Sequence, residues 1–127
     1  MPHKRQTFIR FVVGTESDHH QGLVGLINAT ADLRYEGRLT PDERVRVDKA
    51  HGWFNKHLPV PPFRTGLGRD AVAWFKDDAG DAISQMWELV AVLRDKGVPV
   101  RLLRSTHPGR VVYEDEFQIV VEQWRRL

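Results

Sequence analysis

The 127-residue chain contains no cysteine. Disulfides, thiolate zinc sites, iron–sulfur clusters and cysteine nucleophiles are thereby excluded. No apolar run exceeds a few residues, so no membrane span is expected. The six histidines, at His3, His19, His20, His51, His57 and His107, include no pair four residues apart. A helical HExxH zinc site is therefore absent, and neither a metal nor a cofactor is expected. Charge of one sign is also scarce: 19 basic against 17 acidic residues give a net charge of +2. That balance does not point to nucleic acid by itself. Repeats and low-complexity segments are absent.

What is present fits one domain of ordinary size, long enough to bury a core without a staple. The basic start Met1-Pro2-His3-Lys4-Arg5-Gln6 precedes Thr7 to Val13. That segment is too short for a secretion signal and has no small-residue cleavage site, so a soluble, cytoplasmic protein is expected. Fourteen of the cations are arginines, whose planar fork grips carboxylate or phosphate in two places. Lys96 to Arg110 carries four cations and no acid, and Glu114-Asp115-Glu116 follows directly. The surface should be locally polar.

Thr7 to Val13 is aromatic and β-branched and predicts a strand. Asp18 with Gln21 forms a capping pattern for a first helix, with Leu23, Leu26, Ile27 and Leu33 on one face and Gly37 as its stop. Thr40-Pro41-Asp42-Glu43 opens a second helix with an N-cap hydroxyl, a proline at the first position and a reciprocating glutamate. Its buried stripe is Val47, Ala50, Phe54 and Leu58, and Pro59, Pro61 and Pro62 end it. Asp70 to Lys76 reads as a buried strand. Asp77-Asp78 is expected to cap a third helix whose stripe is Ala82, Met86, Leu89 and Leu93, and Gly97 closes that helix. Val98 to Ser105, Arg110 to Glu114 and Phe117 to Gln123 complete the pattern. Asp115-Glu116 is a tight reversal between the last two, or part of one long bulged strand. The order β-α-α-β-α-β-β-β predicts an α+β, two-layer sandwich: one mixed sheet of four or five strands with about three helices on one face.

The segments Trp53-Phe54-Asn55…Leu58-Pro59-Val60-Pro61, Trp74-Phe75-Lys76 and Pro108 to Gln118 resemble a widespread group of small bacterial proteins with no assigned function. The likeness covers most of the chain from about Thr40. It implies no activity or ligand.

Three constellations could carry chemistry. Glu16, Asp18, His19 and His20 lie between a strand and a helix, but adjacent histidines diverge by about 100° on a helix and Asp18 already has a capping role. Arg64 and Arg69 flank a Gly66/Gly68 turn that could cradle an anion, although it precedes a strand and lacks the P-loop lysine. Lys76 with Tyr113, Glu114, Asp115 and Gln118 would suit proton transfer or recognition of a polar ligand if their strands lie close together. Trp124 beside Arg125 and Arg126 is the one tryptophan with the cationic neighbours that base stacking uses. With no serine elbow, metal spacing or cofactor loop, the expected function is a small non-catalytic binding or interaction module. Its partner would be a protein or a small polar or anionic ligand, with no membrane and no specific nucleic acid. The alternatives are a small enzyme using Lys76 with Tyr113–Gln118, and a weak nucleic-acid binder. The sequence leaves the oligomeric state open.

Overall fold

A computed structural model describes residues 6–14, 23–59 and 71–122. Its elements run β1 (Phe8–Val13), α1 (Leu23–Tyr35), α2 (Pro41–His57), β2 (Ala71–Lys76), α3 (Gly80–Asp95), β3 (Val100–Ser105), β4 (Arg110–Glu114) and β5 (Gln118–Glu122). This is the expected α+β order. No helix among the described residues is long and apolar enough to cross a membrane.

The five strands form one sheet in the order β3-β1-β2-β5-β4. Every neighbouring pair is antiparallel, which corrects the expected mixed sheet. β2 and β3 do run in the same direction, but β1 lies between them, so their helical crossover passes over an antiparallel strand. The last two strands form a true hairpin rather than one long strand: Asp115 N–H bonds Gln118 O at 2.9 Å. β4 carries a bulge between Val111 and Tyr113.

Two local signals act as the sequence predicts. Thr40 and Glu43 make a reciprocal capping box at the start of α2, with Pro41 in the first turn. Gly97 ends α3 at a φ of +80°, a conformation that suits glycine. One signal does not. The N-cap of α3 is Ala79, with no side-chain cap. Asp77 instead lies before the helix, and its N–H bonds Thr7 O at 3.0 Å. Asp77 and Asp78 form the turn after β2, where Ala79 N–H bonds Lys76 O at 3.0 Å, and so lie ahead of the N-cap position.

Side chains alternate across the sheet, so the register assigns each one to a face. On one face Ile9, Phe11 and Phe75 pack beneath Leu26, Leu33, Val47, Phe54, Met86, Leu89 and Leu93 from the three helices. α3 lies between α1 and α2, and Ala82, Met86, Leu89, Val90, Val92 and Leu93 are all buried. Each of its large apolar side chains contributes about 1.5–3 kcal/mol by leaving water. The opposite face holds a second apolar cluster of Val72, Trp74, Ile119 and Val121, flanked by Phe8 and Leu103. Trp74 thus belongs to a core, but not to the one under the helices.

Candidate functional site

The register brings part of the Lys76 constellation together and divides the rest. β5 lies between β2 and β4, and Lys76 and Glu114 reach past it to meet at 2.6 Å. Lys76 is mostly covered and Glu114 half-exposed. The lysine is therefore an ion-pair partner on the face of the second cluster, not a free amine at a rim.

Tyr113 and Gln118 gather around Asp115 instead. Asp115 Oδ2 accepts from the Tyr113 hydroxyl at 2.8 Å and from Gln118 Nε2 at 3.0 Å. Its Oδ1 accepts from the backbone N–H of Phe117 at 2.9 Å and of Gln118 at 3.1 Å. The amide of Gln118, itself buried, also donates to Pro59 O at 3.0 Å, which ties the hairpin to the end of α2. The hydrogen bond to Asp115 raises the Tyr113 pKa, assisted by burial and the nearby carboxylate charge. That phenol is held as a donor, the opposite of what a proton-accepting tyrosine needs. The arrangement fastens the turn and occupies both carboxylate oxygens.

Arg64, Arg69, Glu16, Asp18, His19, His20 and Trp124 lie outside the described residues.

Sequence reading missed a polar clasp between α1 and α2. Thr30, fully buried, donates its hydroxyl hydrogen to Leu26 O at 2.8 Å. Its oxygen is then placed to accept from His51 Nε2 at 2.9 Å. One turn on, Arg34 grips Asp48 with two bonds of 2.8 and 2.9 Å. Burial lowers the His51 pKa, against the pull of Asp48. No local pattern joins residues on separate helices, so the pair carries no sequence signature. A shallow polar groove of about 350 Å³ also opens between α2 and α3, lined by Arg46, Lys49, Ser84, Gln85 and Glu88. Its Arg46 is already paired with Glu88 at 3.1 Å.

The outer side of β3 is different. Among the described residues β3 is an edge strand, paired only with β1. Gly14 N–H bonds Pro99 O at 2.8 Å. In an antiparallel ladder, inward-bonding residues recur every second position. Arg101, Leu103 and Ser105 therefore bond toward β1, and Val100, Leu102 and Arg104 turn their N–H and C=O outward. Arg94 takes up one of these groups, donating to Val100 O at 2.9 Å. Among the described residues nothing bonds the outward groups of Leu102 and Arg104. Beside this strip stands Trp87 of α3, 39% exposed. Its ring meets Phe11 edge-on at 5.0 Å, and Phe11 is the register partner of Leu102. The Arg94 guanidinium lies 5.7 Å from the centre of the same ring.

The fold thus defines an α+β sandwich with three helices on one face of an antiparallel sheet, and among the described residues the outer edge of β3 carries no further strand. No family model matches the chain, and no curated protein or solved structure is significantly similar to it.

Proposed function

We propose that this protein is a non-catalytic interaction module that binds an extended segment of another protein along the outer edge of β3. One observation carries this reading. Lys76 bonds Glu114, and Tyr113 and Gln118 bond Asp115, whereas among the described residues Leu102 and Arg104 present unbonded backbone beside a half-exposed tryptophan. A strand added to such an edge gains main-chain hydrogen bonds, and neighbouring side chains set its specificity.

Leu102→Pro tests the reading. Proline is tolerated on an edge strand where its missing N–H faced outward, so the variant should fold. Peptides selected from a displayed random library by the wild-type protein should lose binding to the variant, with the circular dichroism of the two proteins superimposable. Undiminished binding to a folded Leu102→Pro variant, or selection of no peptide at all, overturns the proposal.

A further inference from the structure

We infer that the segment taken up at β3 is acidic, with one large apolar side chain seated between Leu102 and Trp87; this rests on the edge-binding reading above. The first argument is charge. Arg101 and Arg104 are exposed, and among the described residues no carboxylate pairs with either. The neighbouring cations are already engaged: Lys96 with Glu43 at 2.8 Å, Arg110 with Glu122, and Arg94 on Trp87 and Val100. The register places Arg101 opposite Val12 and Arg104 opposite Ile9, on the two faces of the sheet. A strand laid beside β3 would therefore have a guanidinium near it on each face, and two carboxylates an odd number of residues apart, which point to opposite faces, would answer both.

The second argument concerns which partners the edge resists. Two copies pairing antiparallel through β3 would bring four guanidinium groups onto one short ladder, and like charges placed opposite each other destabilise it. The other edge is guarded differently. β4 is bulged, ends at Glu114 and leads into Asp115 and Glu116 of the turn, and a bulge interrupts the template that a further strand would need. The β3 ladder runs without a break from Phe8↔Ser105 to Val13↔Val100. Of the two edges, the regular one is the basic one.

The third argument sets the length. Arg94 occupies the Val100 carbonyl, so the free strip comprises the N–H and C=O of Leu102 and Arg104. It spans about two pleats, and with a rise of about 3.4 Å per residue a matching segment needs only some three to five residues in extended form. The apolar step is local. Leu102 is part-buried, on the helix face of β3 according to its register with Phe11. Trp87 meets Phe11, the register partner of Leu102, edge-on, and the Arg94 guanidinium lies against the same ring. Tryptophan held in place in this way, next to an arginine, is a typical anchor for a partner side chain.

The test uses the full chain and four labelled probes, with binding read by fluorescence anisotropy. The probes are a decapeptide with one central leucine and a pair of adjacent glutamates on either side of it among valines, so that carboxylates lie on both faces, its glutamine-for-glutamate counterpart, its lysine-for-glutamate counterpart, and decathymidine. The acidic peptide should bind tightest, with added salt weakening it. The double variant Arg101→Glu/Arg104→Glu should lose about tenfold or more of that affinity. The same variant should bind the glutamine peptide as the wild type does, which also shows that it is folded. If the glutamine peptide matches the acidic one and Leu102→Pro abolishes both, the edge still binds a strand but the acidic specificity is wrong. If no peptide binds, both readings fall. Preferential binding of decathymidine makes the edge a nucleic-acid surface and overturns the inference. So does a dimer in sedimentation that Leu102→Pro dissociates, because a second copy would then hold the edge.

Discussion

Glu43 Oε1 accepts from Thr40 N–H at 2.8 Å and also lies 2.8 Å from Lys96 Nζ. One carboxylate thus closes the capping box of α2 and joins that helix to the C-terminal end of α3. Side-chain bonding to Lys96, helped by the Thr40 backbone, lowers the Glu43 pKa to about 2. Between the ordinary glutamate range and that value, the unfolded chain binds a proton that the folded chain refuses. Stability from Glu43 is therefore complete above the unfolded pKa and is lost as pH falls toward 2. Glu43→Gln should lower the unfolding midpoint in urea at pH 7 and flatten the acid limb of the stability profile.

The same linkage acts at His51. Its folded pKa is lowered, mainly by burial, so the fold favours the neutral ring. The stability this gives is present above about pH 6.5 and is lost as pH falls through the depressed folded value. Titration of the His51 ring by NMR should show a midpoint below that of an ordinary histidine. Replacing His51 by Gln should remove the corresponding slope from the stability profile.

Trp74 and Lys76 should differ sharply although they share a strand face. Trp74→Ala empties a large site in the second cluster and should cost about 3–5 kcal/mol. Lys76→Ala breaks a pair whose carboxylate is well hydrated, and about 1 kcal/mol is expected. Trp74→Phe should fall well below Trp74→Ala, because the indole N–H is buried without a hydrogen-bond partner and its removal leaves no partner unsatisfied. Urea unfolding of the three variants gives the ranking. A Lys76→Ala loss equal to that of Trp74→Ala would show that the ion pair is a main support of the sheet.

Gly109 precedes β4, and a Cβ there would strike the backbone carbonyl of Glu122. The obstacle is main chain, which cannot swing aside as a flexible side chain can. Gly109→Ala should cost about 2 kcal/mol or more and loosen the β4–β5 pairing first. Amide exchange at Val111 and Val121, register partners, should accelerate before that of β1. Protection there equal to wild type would mean that the hairpin absorbs the methyl group by a local shift.

Features written in contiguous residues were legible beforehand. The box at Thr40–Glu43, the strand expected from Asp70 to Lys76 and found at Ala71–Lys76, and the stop at Gly97 each depend on chemistry within a few positions. At Asp115 the sequence leaves a tight reversal and one long bulged strand both open, and the structure decides for the hairpin; the bonds of its carboxylate to Tyr113 and Gln118 need that hairpin closed. Glu43 with Lys96, Thr30 with His51 and Lys76 with Glu114 join separate elements, and no periodicity encodes them. The open edge of β3 was hidden for the same reason. Arg101 and Arg104 fall in the basic stretch Lys96 to Arg110, but it takes the strand order to show that among the described residues no strand pairs outside them.

That strand order also governs how the chain is made. β1 is synthesised early, yet its neighbours are β2 and β3. On the ribosome its first ladder waits for Lys76 and its second for Ser105. Until then Phe8, Ile9 and Phe11 have helices to lean on but no strand to bond. Such distant pairing slows folding, because a long loop must close before any contact repays the lost entropy. During elongation this aromatic segment is the part of the nascent chain most in need of a chaperone's cover.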